Sequence, residues 1–143
     1  MKRLKILIVD DVMIMRKVLK EILAAHNKAD PHIILEAVDG TDALFMYNQT
    51  KPDIVFLDIA MPDYDGKTIV KELLEIDSKV KIIMYTGSSD KMSVIECIRT
   101  GAKDYVVKPP NRQRVIKALE KVAGIAGAAG EDEPEHTDSE EME

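Results

Sequence analysis

The chain of 143 residues is long enough for one domain with a full core, and its 45% apolar and 32% charged residues are those of a soluble globular protein. No apolar run is long enough for a membrane span, the run at residues 6–9 behind the basic start is too short for a signal-peptide core, and Cys97 as the only cysteine excludes an intrachain disulfide, which together point to the cytoplasm. The net charge of −6 is uneven: eight of the 26 acids fall in residues 131–143, which hold no Lys or Arg, so the body sets 20 bases against 18 acids and has no electrostatic footprint for nucleic acid.

Along the chain, short apolar runs alternate with amphipathic segments. Residues 5–9 read as a strand buried on both faces. Val12, Met15, Leu19, Ile22 and Leu23 then recur at helical spacing, with Lys17, Lys20 and Glu21 opposite. A second apolar run, 33–38, closes at Asp39-Gly40 and leads into a short helix over 41–50. The third strand, 53–57, ends at Asp58. A helix over 66–76 places Ile69, Leu73 and Ile76 on one face. The fourth strand, 81–85, ends at Thr86-Gly87, and a helix over 90–100 stops at Gly101. The fifth strand, 105–107, ends at Lys108-Pro109-Pro110. The last helix, 111–123, turns Val115, Leu119 and Val122 inward. Such alternation predicts an α/β fold, a parallel sheet with right-handed crossovers and helices on both faces. The expected domain is 1–125. Residues 126–143 are Gly/Ala-rich and then acidic, a composition that cannot bury enough apolar area to offset its ordering entropy, so that tail is expected to be disordered.

The chemistry stands at the carboxyl ends of the strands, where parallel sheets bind ligands. Asp10 and Asp11 end the first strand, Asp58 the third, Thr86 the fourth and Lys108 the fifth. Each alone has a bland reading: Asp10 or Asp11 as a helix cap, Asp58 and Thr86 as turn residues, Lys108 as a solvated lysine. Chance handles their convergence on one sheet edge badly. If the first and third strands are neighbours, roughly 4.8 Å apart, their terminal carboxylates can share a cation. Unpaired, those carboxylates would raise one another's pKa; Mg²⁺, which takes one or two carboxylates and keeps waters, relieves this. Asp58 then reads as a nucleophile toward phosphorus. Lys108 and Mg²⁺ would neutralise phosphoryl charge, and the Thr86 hydroxyl would add a hydrogen bond.

At these residues the sequence resembles the receiver domain of two-component response regulators, over about residues 5–122. The matching pieces are Ile8-Val9-Asp10-Asp11, Asp58-Ile59-Ala60-Met61-Pro62 with Asp65-Gly66, Thr86, and Gly101-Ala102-Lys103-Asp104-Tyr105 leading to Lys108-Pro109. The resemblance implies a flavodoxin-like, doubly wound five-stranded sheet in the order 2-1-3-4-5. It implies phosphotransfer from the phosphohistidine of a histidine kinase, Mg²⁺ on Asp11, Asp58 and the carbonyl of Ala60 with Asp10 acting mainly through water, and a switch in which Thr86 moves toward the phosphoryl group while Tyr105 turns inward. Met15-Arg16-Lys17-Val18-Leu19 and Arg114-Val115-Ile116-Lys117-Ala118-Leu119 are most similar to the stand-alone chemotaxis regulators. That subgroup implies a CheA-like kinase, an output protein such as a flagellar motor switch protein or an archaellum adaptor, and no nucleic-acid or membrane partner. The chain departs from the pattern at Pro110, where an aromatic residue is common, and carries small residues, Ala60 and Ser88, two positions beyond Asp58 and Thr86.

Rival readings lack their residues. An aspartate-dependent phosphatase of the haloacid dehalogenase type needs a second Asp where Ala60 stands. A dinucleotide-binding fold needs a Gly-rich turn, and a flavodoxin a phosphate-cradling loop, where Asp10-Asp11-Val12-Met13 stands. The expectation is therefore a phospho-accepting signalling protein rather than an enzyme, with a single-domain phosphorelay shuttle as the alternative to chemotaxis. His26, His32 and Cys97 match no metal spacing and read as core or surface filler.

Overall fold

The computed structural model describes residues 3–87 and 90–125. The tail expected over 126–143, and Ser88, lie outside the described residues. Strands and helices alternate as β1 (Lys5–Val9), α1 (Met13–His26), β2 (Ile33–Ala37), α2 (Gly40–Thr50), β3 (Ile54–Asp58), α3 (Gly66–Ile76), β4 (Ile82–Thr86), α4 (Lys91–Thr100), β5 (Asp104–Val107) and α5 (Arg112–Ala123). The five strands pair in parallel, in the order β2-β1-β3-β4-β5, so the expected flavodoxin-like topology is present.

Successive side chains of a strand point to opposite faces, and the strands sort their apolar residues accordingly. Ile6, Ile8, Ile54, Phe56, Ile83, Tyr85 and Val106 pack against Leu19 and Leu23 of α1 and Val115 and Leu119 of α5. Leu7, Val9, Val55, Leu57, Ile82, Met84 and Tyr105 pack against α2, α3 and α4 through Tyr47, Ile69, Leu73, Val94 and Cys97. Burial on both faces is why β1, β3 and β4 show no polar alternation.

Polar side chains set three of the five helix starts among the described residues. Asp39, Asp65 and Asn111 accept hydrogen bonds from the backbone N–H groups of Asp42, Thr68 and Arg114. Gly101 stops α4 at φ 149, a conformation that side chains rarely adopt. Two expected inward positions differ: Val12 precedes α1 and is 43% exposed, and Ile76, in the last turn of α3, is 38% exposed. Both sit at helix ends, where the apolar stripe runs past the edge of the sheet it covers. No helix among the described residues is long and apolar enough to cross a membrane.

Candidate functional site

The strand order reverses between β1 and β3: β1 leads on to β2 on one side, and β3 to β4 and β5 on the other. The crevice beyond their carboxyl ends is where ligands of such sheets sit. Asp10 directly follows β1 and is fully buried. Its Oδ1 accepts the Val12 N–H at 2.9 Å, a bond made just ahead of α1; the N-cap is Val12, so Asp10 does not cap the helix as its bland reading had it. Its N–H donates to the Ala37 carbonyl at 3.1 Å. Arg16 fixes its backbone from the other side, donating to the Asp10 carbonyl at 2.8 Å and to Glu36 at 2.8 Å. Asp11 is exposed at the mouth. Asp58 ends β3, is 5% exposed, and accepts the Ala60 N–H on Oδ1 at 3.2 Å.

Lys108 completes the cluster. Its Nζ donates to Asp58 Oδ2 at 3.1 Å and lies 3.0 Å from Asp10 Oδ2, an oxygen that is buried and receives no aligned hydrogen bond. The carboxylates are therefore not unpaired, as the sequence suggested, because the lysine already bridges two of them. Burial pushes Asp58 above the usual carboxylate range, the Lys108 ammonium pulls it back, and the neighbouring Asp10 adds to the rise. Burial pulls Lys108 down, but the attraction of the Asp10 and Asp58 carboxylates outweighs that and holds it above the ordinary lysine value. Asp58 is thus costly to ionise while Lys108 is securely cationic.

Thr86 ends β4 and is buried, yet its hydroxyl faces away from Asp58 toward Asp90 Oδ2 at 3.2 Å and the Gly87 carbonyl at 3.3 Å. The Lys108 N–H donates to the Thr86 carbonyl at 2.7 Å, so the two strand ends are tied through the backbone. Tyr105 is already turned inward, 7% exposed and packed in the α2–α3–α4 core layer. The Arg114 guanidinium lies 5.6 Å from the Tyr105 ring centroid and donates to the Tyr105 carbonyl at 2.9 Å. The loop between β3 and α3 is tightly built. A Cβ on Gly66 would lie 3.0 Å from the Ile59 Cα, and Asp63 accepts the N–H groups of Gly40 and Thr41 at 2.8 and 3.0 Å.

Oxygens of Asp10, Asp11 and Asp58 all lie within 4.8 Å of one another. Hard carboxylate donors, one with a buried oxygen short of hydrogen bonds, form a set compatible with Mg²⁺, which completes its shell with water. A separate cavity of about 270 Å³, lined by Leu4, Tyr47, Lys51, Asp53, Asp77 and Val80 among others, lies at the opposite end of the strands and shares no residue with this cluster.

The family profile described as "Response regulator receiver domain" matches residues 6–120. The chain belongs to the response-regulator receiver family. Among related receivers, "Chemotaxis protein CheY" of Thermotoga maritima is 43% identical over 83% of this chain and 97% of its own length. The Bacillus subtilis protein of the same name is 41% identical over 82% and 95%. Among solved structures, the CheX-CheY-BeF3-Mg+2 complex from Borrelia burgdorferi includes a chain that matches with a TM-score of 0.74 and 34% identity, covering 82% of this chain and 87% of that one. A putative response regulator from Chloroflexus aurantiacus matches with a TM-score of 0.79 and 26% identity over 86% and 99%. The protein is thus a phospho-accepting response regulator, and an acidic cluster compatible with Mg²⁺ stands where a receiver needs one.

Two contributors escaped the sequence reading. Arg16 showed only as part of the Met15–Leu19 run that carries the resemblance, with no role of its own, and its bond to the Asp10 carbonyl depends on how α1 leaves β1. Tyr85 looked like ordinary strand filler; its place beside Asp58 follows from the β3–β4 register, which pairs Asp58 with Tyr85.

Proposed function

We propose that this receiver takes a phosphoryl group from the phosphohistidine of a histidine kinase onto Asp58, and passes the signal by protein contact in chemotaxis. The observation that carries the acceptor assignment is the Asp58 carboxylate at the end of β3, with Asp10 and Asp11 oxygens within 4.8 Å and the Lys108 ammonium at 3.1 Å. In this reading an Asp58 carboxylate oxygen attacks phosphorus, the phosphorus–nitrogen bond of the donor breaks, and its electron pair stays on the imidazole, which takes up a proton. The product is an acyl phosphate on Asp58. Mg²⁺ held by Asp10, Asp11, Asp58 and the Ala60 carbonyl would supply positive charge to the phosphoryl oxygens. Lys108 gives up its contact with Asp58 Oδ2 and donates to a phosphoryl oxygen instead. Thr86 leaves Asp90 to donate to another by a charge-assisted hydrogen bond. The chain catalyses only its own phosphorylation and slow hydrolysis.

Chemotaxis is favoured because curated relatives more than 40% identical over nearly their whole length carry that name. The partners that fit are a CheA-like kinase upstream and a flagellar motor switch protein or archaellum adaptor downstream. Incubation with a small acyl phosphate and Mg²⁺ should add the mass of one phosphate to the wild type and none to Asp58→Asn. Equal labelling of the Asn variant, with no relocation to another side chain, would remove the assignment.

A further inference from the structure

Tyr85 is fully buried, directly precedes Thr86 on β4, and pairs with Asp58 across the β3–β4 ladder. Register partners in a parallel ladder send their side chains to the same face, so the phenol ring stands beside the Asp58 carboxylate. The Lys108 ammonium lies 4.9 Å from the ring centroid, inside the distance at which a cation is attracted to an aromatic face. The far end of the ring is also held: the hydroxyl points at Met15 Sδ of α1 at 3.8 Å. The Lys108 side chain is 19% exposed, so the contact is formed largely out of water, where it is strongest.

Lys108 has three attractive neighbours: Asp10 Oδ2, Asp58 Oδ2 and this ring. The two carboxylates are also the ligands assigned to a divalent cation, which competes with the ammonium for the same oxygens. The ring face offers no oxygen lone pair and does not enter that competition. We propose that Tyr85 is a positioning residue for phosphotransfer, whose ring keeps the Lys108 ammonium over Asp58 when a cation draws the carboxylates away. This rests on Asp58 being the phosphoryl acceptor, but the contact itself exists without phosphorylation. The phenol stays protonated, because burial and then the charges of Asp10 and Asp58 push its pKa upward, so it does not compete as an anion for Lys108.

The test is the NMR signal of the Lys108 ε-methylene in lysine-labelled full-length protein, assigned by its disappearance in Lys108→Met. The ring current should displace that signal upfield in the metal-free protein, and the displacement should persist on adding MgCl₂ and then beryllofluoride. Tyr85→Leu should return the signal to the position of a free lysine and slow phosphorylation by acetyl phosphate about tenfold, the order expected for loss of a desolvated cation–π contact. Tyr85→Phe, which restores the face without the hydroxyl, should recover both the displacement and the rate. An undisplaced wild-type signal, or one that returns to the free position with MgCl₂, overturns the proposal. So does a folded Tyr85→Leu protein phosphorylated at the wild-type rate. If Tyr85→Leu does not fold, the wild-type response to MgCl₂ decides alone. Displaced signals in a protein that takes no phosphate on Asp58 would instead remove the function proposed above and leave the ring contact standing.

Discussion

Asp58 costs the metal-free protein stability. It is buried beside Asp10, and the attraction of Lys108 does not cover that cost, so the folded carboxyl holds its proton more tightly than the unfolded one. A group with a raised folded pKa binds more protons in the native state. It therefore favours folding at low pH, and that contribution is lost as pH rises from about 4, the ordinary carboxylate range, through the raised folded value. In EDTA, Asp58→Asn should therefore melt above wild type at neutral pH, with the gap closing as pH falls toward 4. Thermal melts across that range check this; an Asn variant that melts lower at neutral pH would mean that Lys108 dominates the pair. The positions of Asp10, Asp11, Asp58 and Lys108 were legible because a run of apolar residues ending in a charge marks a strand end, and a parallel sheet gathers such ends on one edge. The direction of the Thr86 hydroxyl was not. It is decided by Asp90, four residues on at the start of α4, a contact that no periodicity encodes.

Among the elements, α1 and α5 are joined by a chain of buried and half-buried hydrogen bonds that the sequence did not announce. The Leu4 N–H donates to His32 Nδ1 at 2.9 Å, which leaves the His32 proton on Nε2. That nitrogen faces His26 Nδ1 at 2.9 Å, and His26 Nε2 faces Glu120 at 3.0 Å. The neutral His32 ring donates once and accepts once, so an added proton on it has no acceptor. Burial first, then His26, lowers the His32 pKa, and Asp30 opposes them only in part. The folded state thus binds fewer protons there than the unfolded chain, and stability should fall as pH drops below about 6.5, the ordinary histidine value. His32→Gln should flatten the melting temperature over that window. A wild-type curve level between pH 7 and 5 would contradict the arrangement. The histidines match no metal spacing and so carry no signal in the sequence; their contact joins the end of α1 to the residue just before β2, which periodicity does not encode. Element order and type were legible throughout, because 3.6-residue and unbroken apolar patterns alternate cleanly. Errors gathered at helix ends such as Val12 and Ile76, where periodicity continues but the neighbouring layer does not.

Over the whole molecule, two core layers clamp a sheet whose carboxyl edge gathers like charges, so ligand binding and global stability are linked. A cation that binds the folded cluster and not the unfolded chain should raise the melting temperature with its concentration, by about 2.7 kcal/mol of stability at one hundred times its Kd. Asp11→Ala removes an exposed carboxylate of the cluster without disturbing the core and should abolish most of that response. An unchanged wild-type melt across a Mg²⁺ titration would contradict the cation site. The central claim is chemical: one carboxylate of this sheet edge, Asp58, becomes an acyl phosphate. Borohydride reduction of the phosphorylated full-length protein, followed by peptide sequencing in the mass spectrometer, tests it most directly, because reduction converts only the phosphorylated aspartate to homoserine. The account predicts homoserine at position 58 after treatment with donor and Mg²⁺, and aspartate at positions 10, 11 and 58 without donor. Homoserine at position 10 or 11, or intact aspartate at position 58 in protein that carries phosphate, would contradict it.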